Sequence, residues 1–137
     1  ILILSLAIAR PNPFSFGGAQ NDRFDPVSPG IVRLTRHPLL LALGIWSAAH
    51  ILPNGDLANV ILFGTFAGFA MVGGRLVDRR RQREMGQRWH DLRAALSECP
   101  ASLSLTADTL LRLAAGLMLY AGLIWLHPLV IGVDPLV

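Results

Sequence analysis

The sequence predicts an all-α protein, a polytopic bundle of about four transmembrane helices with a short interfacial amphipathic helix. The first observation is composition, since the 137 residues are 53% hydrophobic and 15% charged, with a mean hydropathy of +0.50. A soluble domain usually has about 25% charged residues. A chain this short exposes much of its surface, and too few charges are present to cover it in water. We therefore expect one membrane domain over residues 1-137.

The second observation is that charged residues are absent from three long stretches, which cover residues 38–55, 57–74 and 113–133. Each stretch has close to the roughly 20 residues that a helix needs to cross a hydrocarbon core. The stretches lack the alternation of a barrel strand, so they favour helices. The alternative, buried helices of a soluble protein, would require a polar shell that the sequence lacks. The predicted spans are residues 31-52, 57-76 and 107-127, with a partial span at 1-9.

The partial span begins without an initiator methionine. It also lacks a basic flank and a cleavage site of small residues, so it is not predicted to be a signal peptide. We expect it to be the tail of a helix and the chain to be the C-terminal portion of a longer protein.

Arginines predict the orientation in the membrane. The segment from Arg75 to Arg93 contains seven arginines and three acidic residues, whereas the segment Pro53 to Asp56 contains no basic residue. The positive-inside rule then places the arginine-rich loop in the cytoplasm, as for a multi-pass protein of the bacterial inner membrane. We expect this loop to contact anionic lipid headgroups rather than nucleic acid.

Two connecting segments carry patterns of their own. Met85, Trp89, Leu92 and Leu96 recur at helical spacing and predict the interfacial amphipathic helix, although Gly86 weakens it. The connection after the first span is rich in proline and glycine and predicts no helix. It also carries three phenylalanines, so we expect it to fold back against the membrane face; a disordered linker is the alternative.

Small residues predict close helix packing. Gly64 and Gly68 form a GxxxG pattern, and Gly44 lies in a small-residue stretch of the preceding helix. Small residues allow helix backbones to approach each other in a membrane, either within one chain or between subunits.

The histidines are the candidate ligands. His90 lies among charged residues and is predicted to be solvated. His37 and His50 are thirteen residues apart on one predicted helix, or about 20 Å at the usual rise. They therefore cannot share one small site within a subunit. His50 and His127 both approach the end opposite to the arginines, where the two side chains could meet. Ionisable groups at membrane depth are costly, which makes them candidates for function.

An ordered series of motifs resembles the NnrU family. It begins with the segment Gly30 to Pro38, continues through Trp46, Ala49-His50, Asn54-Gly55-Asp56, Leu62-Phe63-Gly64 and Asp78-Arg79-Arg80, and closes with Leu126-His127-Pro128 and Ile131-Gly132. The resemblance covers nearly the whole chain. It implies a membrane protein, longer at its N-terminus, with a link to nitrite and nitric oxide reduction.

A relative of that family, the plant zeta-carotene isomerase, uses haem b. Its similar helix has an Arg-His-Pro and then an Ala-His whose histidine is implicated as a haem ligand. The resemblance implies haem b as cofactor, His50 as the iron ligand, and a redox or carotenoid-isomerase-like role. His127 or an upstream helix would supply a second ligand, and Arg36 and His37 are further candidates for cofactor contact. Ser47 stands where the isomerase has a cysteine, so its proposed redox ligand switch is not expected.

Two other functions remain open. The Arg-His-Pro at a helix mouth also resembles membrane methyltransferases that use S-adenosylmethionine, but those enzymes have a paired glutamate where this chain has Asp78-Arg79. The other alternative is a non-catalytic accessory subunit of a larger respiratory or photosynthetic membrane complex.

Overall fold

The computed structural model describes residues 1–136, and every regular element in that range is helical. The α-helices are α1 (Leu2–Ala7), α2 (Pro38–Ile51), α3 (Leu57–Met85), α4 (Gln87–Glu98) and α5 (Ala107–Ile131). Two short 3-10 turns, Asn21–Arg23 and Gly30–Arg33, lie in the connection between α1 and α2. The predicted all-α class is confirmed for the described residues.

Side-chain caps start the two longest helices. The Asp56 carboxylate accepts a hydrogen bond of 3.1 Å from the backbone N–H of Asn59, at the start of α3. The Thr106 hydroxyl accepts one of 3.2 Å from Thr109 at the start of α5. Each cap satisfies a backbone donor that the first turn of a helix leaves free. The sharp turn at Pro53 to Asp56 then sends α3 back along α2.

The second helix begins later than the predicted span of residues 31-52. Gly30–Arg33 forms a 3-10 turn, and α2 starts at Pro38. The residue before a proline is disfavoured in the helical region, and His37 has φ −118° and ψ 66°. Proline itself suits the first helical position, because its missing N–H would have no partner there.

The third helix runs past the predicted limit at residue 76. It continues to Met85, so the segment predicted as an arginine-rich loop is the end of α3 followed by α4. Arginine, glutamine, glutamate and methionine are good helix formers, and Arg80 pairs with Glu84 one turn later at 2.7 Å. Gly86 then breaks the helix with a positive φ of 56°.

Close packing joins α2 to α3. A Cβ atom added at Gly44 would lie 3.4 Å from Ala70, and one added at Gly73 would lie 3.3 Å from the Leu40 side chain. Helix α5 packs instead against α1, where Gly116 faces Ser5. The small residues therefore bring helix backbones together in two separate pairs.

The amphipathic helix α4 buries its apolar stripe under the first connection. Trp89 and Leu96 form a core cluster with Phe14 and Val32, and the Phe14 and Trp89 rings meet edge to face at 6.5 Å. The amphipathic pattern of α4 and the folding back of the connection onto the protein are confirmed in this packing, and the position of both at the membrane face stays a prediction. His90, the next residue after Trp89, is exposed, as predicted.

Among the helices of residues 1–136, only α3 and α5 are long and apolar enough to cross a membrane. Helix α2 has 14 residues, about 21 Å, which is shorter than a hydrocarbon core of about 30 Å, and α1 has six residues. The predicted bundle of about four spans is not confirmed. The most apolar stretches of α3 and α5 are only 11% and 6% buried, so they are not the core helices of a soluble domain.

The GxxxG pattern does not form the contact between α2 and α3. A Cβ atom added at Gly64 or Gly68 would meet no other atom within 4 Å, so both glycines face away from the other described helices. Gly44, by contrast, lies in a close contact as predicted. Gly73, which is not part of the GxxxG pattern, lies instead on the face of α3 that contacts α2.

Matched glycine substitutions test this packing. Gly73→Leu should lower the free energy of unfolding by about 1–3 kcal/mol, because the new side chain would overlap Leu40. Gly64→Leu places the same side chain on the same helix in open space and should leave the stability of the isolated chain nearly unchanged. Melting temperatures of both variants in detergent provide the comparison, and equal losses would contradict the assigned faces.

Candidate functional site

A polar network surrounds Asp78 where α2 begins beside the basic end of α3. One carboxylate oxygen of Asp78 accepts a hydrogen bond from His37 Nε2 at 3.1 Å. The other accepts from Arg36 Nη2 at 2.8 Å. The side chains of His37 and Asp78 are 13% and 22% exposed, so water screens these contacts only in part. Asp78 thus holds two consecutive residues that precede α2.

The partners of His37 define its tautomer. The Asp78 carboxylate only accepts hydrogen bonds, so Nε2 carries the proton, and the opposite nitrogen, Nδ1, accepts from the Ser15 hydroxyl at 3.0 Å. Burial lowers the pKa of His37 below its usual range, and the positive charge of Arg36 lowers it further, whereas Asp78 opposes both effects. The lowered pKa favours the neutral form of His37, in which Nε2 donates to Asp78 and Nδ1 accepts from Ser15.

The segment from Asn12 to Ser15 contacts the residues of this network from the first connection. Asn12 donates to the backbone oxygen of Arg36 at 2.9 Å and accepts from the backbone N–H of Phe14 at 3.1 Å. Arg81 donates to the backbone oxygen of Ser15 at 3.0 Å. The first connection is therefore tied to both α2 and α3, and its buried polar groups are paired.

The order Ser15, His37, Asp78 is the donor and acceptor order of a hydrolytic triad. Ser15 has 0% of its surface exposed, however, so an acyl substrate has no path to its hydroxyl oxygen. Nucleophilic catalysis requires that the reacting atom be reached by a substrate. The network therefore positions the first connection and α2 rather than forming an active site.

His50 lies at the opposite end of α2, among aromatic rings. Its Nδ1 is 2.8 Å from the backbone oxygen of Trp46, which only accepts, so Nδ1 carries the proton. The ring centroids of Trp46 and Phe63 lie 4.7 and 5.0 Å from that of His50. This hydrogen bond fixes the orientation of the ring, and Nε2 makes no hydrogen bond within residues 1–136.

His127 has the same local arrangement near the end of α5. Its Nδ1 lies 2.7 Å from the backbone oxygen of Val133. Helix α5 packs mainly on α1, and the described contacts do not join His127 to His50. Within the described range no group of three or more His, Cys, Asp or Glu side chains is placed to hold a metal ion. The pairing of these two histidines, and cofactor contact by Arg36 and His37, stay predictions.

An apolar groove of about 480 Å³ follows the contact between α2 and α3. Small residues, among them Gly44, Ala48, Ala67 and Ala70, form much of its wall, and His37 and Thr35 lie at one end. The polar end is therefore at the Asp78 network, and the remainder of the groove is apolar.

Comparison with known proteins identifies the family of this chain. A family model described as NnrU protein matches residues 1–135. The chain belongs to the NnrU family. Searches of curated proteins and of solved structures found no match. Together with the two long apolar helices of this chain, family membership indicates a membrane protein.

Sequence reasoning missed the roles of Asn12, Ser15 and Asp78. Asn12 and Ser15 are more than twenty residues from Arg36 and His37, which they contact, and nothing local marks either as buried. One feature of the sequence could have predicted this network: Asp78 is an acidic residue at the border of a predicted span. A carboxylate at that depth needs a cationic partner, and Arg36-His37 borders the neighbouring span on the same side.

Neutralising Asp78 tests the network. Asp78→Asn removes the negative charge and places an amide against Arg36 or His37, so we expect unfolding to become easier by about 1–3 kcal/mol. Glu84→Gln is the matched control, since Glu84 pairs with arginines at the exposed end of the same helix. Thermal melting in detergent should show a clear loss for Asp78→Asn and none for the control; a loss of the same size in both would contradict a specific role for Asp78.

Proposed function

We propose that this NnrU protein binds haem b through His50 and has a redox or carotenoid-isomerase-like role, in keeping with the family's link to denitrification. The hydrogen bond from His50 Nδ1 to the Trp46 oxygen carries the proposal. A histidine that ligates iron through Nε2 commonly donates its other N–H to a carbonyl or carboxylate, which fixes the ring. His50 Nδ1 makes a hydrogen bond of this kind to the Trp46 backbone oxygen.

The surroundings of His50 also fit a flat apolar group. Trp46 is 45% exposed and Phe66 is 38% exposed, so aromatic surface borders His50 on the outside of the α2 and α3 pair. Buried porphyrin would gain from contact with such rings. Haem b supplies one-electron chemistry at its iron when bound. The residues of this chain hold and orient the ring, since Trp46 fixes the imidazole and Phe63 covers one face.

His127 is the proposed second ligand, unless a helix from another part of the protein supplies it. The Nδ1 atom of His127 hydrogen-bonds the backbone oxygen of Val133, so Nε2 would bind the iron, as proposed for His50. The chain reverses direction between α2 and α3 and again through α4, so α5 also ends on the side opposite to the arginines. Both histidines would therefore lie at the same membrane face.

The proposed topology places the basic ends of α3 and α4 in the cytoplasm and the Pro53 to Asp56 turn outside. Arg75, Arg79 and Arg83 are exposed on α3, where anionic headgroups of the inner membrane would contact them.

One observation favours the second candidate, an accessory subunit of a larger respiratory or photosynthetic membrane complex. The face of α3 with Gly64 and Gly68 is open, and α5 exposes nearly its whole apolar surface. Lipid covers such surfaces, but a glycine face also permits close approach of a partner helix. Co-purification of the native protein from membranes distinguishes the two candidates, because a haem protein would carry its absorbance without partner subunits.

Absorption spectroscopy tests the haem proposal. The native protein purified from its own membranes should show a Soret band, and His50→Ala should abolish or shift it because the iron loses a ligand. His90→Ala is the control, since His90 is exposed on α4, and it should leave the band unchanged. A native preparation without haem absorbance would end the proposal, whatever the variants do.

Reporter fusions test the topology. A reporter inserted after Asp56 or after Asp134 should be active outside the cytoplasmic membrane, whereas one near Gln82 should be active in the cytoplasm. The arginine excess near Gln82 is the physical reason. The proposed orientation fails if two of the three fusions report the opposite side.

A further inference from the structure

A small cavity lies between the Gly30–Arg33 turn, the residues before α2, and α4. Its volume is about 100 Å³, and three arginines from these three segments line it: Arg33, Arg36 and Arg93. Val32 and Leu96, both buried, are among its apolar walls. Among its lining residues there is no carboxylate. The cavity is at the end of α2 opposite to His50 and is independent of the proposed haem.

The three guanidinium groups have few acceptors for their N–H donors. Arg33 Nε donates to the Cys99 backbone oxygen at 2.7 Å, and Arg93 lies over the Trp89 ring at 5.2 Å. Neither has a carboxylate partner among the described ion pairs. Arg36 binds Asp78, a carboxylate that it shares with His37, and its Nε is buried without an acceptor.

The convergence of these charges has an electrostatic cost. Like charges repel, and they repel more strongly beside apolar walls than in open water. The fold nevertheless fixes each arginine separately, through Cys99, Asp78 and Trp89. An anion in the cavity would offset the repulsion and supply an acceptor for the buried Arg36 Nε.

We propose that Arg33, Arg36 and Arg93 form a binding site for a phosphate group. The planar fork of arginine matches the oxygens of phosphate and forms paired, charge-assisted hydrogen bonds with them. The cavity is well below the roughly 300–1,000 Å³ of sites for drug-sized ligands, so it takes the phosphate and not a large attached group. Leu34 at its edge is 51% exposed, which gives the attached group a way out toward lipid or water.

Two sources can supply this phosphate, and parallel measurements on the full chain in neutral detergent separate them. Inorganic phosphate is titrated by calorimetry, and bound phosphatidylglycerol or phosphatidylcholine is counted by native mass spectrometry. Retention of one phosphatidylglycerol in preference to phosphatidylcholine, with no response to inorganic phosphate, assigns the site to a lipid headgroup. Saturable binding of inorganic phosphate at one site assigns it to a free phosphate compound. Absence of both overturns the proposal on the wild-type protein alone.

A matched pair of variants locates the bound ligand. Arg93→Gln should weaken it about tenfold, because a charge-assisted hydrogen bond is lost. Arg93→Lys keeps the charge without the fork and should give an intermediate loss. Arg88→Gln makes the same charge change on the exposed surface of α4 outside the cavity and should have little effect. Equal weakening by Arg93→Gln and Arg88→Gln would show binding by general charge and overturn the site. Melting temperatures verify that each variant is folded; if Arg93→Gln is not, the comparison of Arg93→Lys with Arg88→Lys decides in the same way.

Discussion

The Asp78 carboxylate holds together three segments of the basic half of the molecule. Asp78 binds Arg36 and His37 together, and His37 in turn binds Ser15. The start of α2, the end of α3 and the long first connection therefore meet at one partly buried charge. Removing one member leaves others unpaired in a site that water reaches poorly, which is why such networks are cooperative. The amphipathic helix α4 then has a fixed surface, including Phe14, against which to pack.

The same carboxylate influences the charge balance next to it. Asp78 neutralises one positive charge, yet both Arg36 and the neutral His37 depend on it. Arg33 and Arg93, which line the small cavity, form no ion pair with Asp78. The polar end of the protein thus combines the Asp78 network with a neighbouring excess of positive charge, whereas the other end presents aromatic rings and two histidines whose Nδ1 atoms each hydrogen-bond a backbone oxygen. The two ends are suited to different ligands.

Sequence patterns predicted what depends on neighbouring residues, and missed what depends on distant ones. The spacing of Trp89, Leu92 and Leu96 predicted α4 and its buried face, because helix periodicity is local, although Met85 of the same pattern ends α3. Hydropathy predicted neither the start of α2 nor the end of α3, because it does not respond to the restriction at His37-Pro38 or to the helix-forming arginines beyond Gly74. Gly73 was missed because its role depends on Leu40, far away in the chain. At the candidate site, His50 was visible as an ionisable residue in an apolar run. The Trp46 bond that fixes its ring was not visible.

The continuity of α3 fixes the register of the two helices at both ends. Phe63 and Asp78 are fifteen residues apart on one unbroken helix, a separation of about 22 Å. On the other side of the contact, the rings of Trp46 and His50 meet Phe63, and His37, the residue before α2, binds Asp78. Sliding α2 by a single turn, about 5.4 Å, would break the aromatic contacts and the hydrogen bond to Asp78 at the same time. Sliding is therefore opposed at both ends of the helix pair, and the two helices together set the distance between the aromatic rings and the Asp78 network.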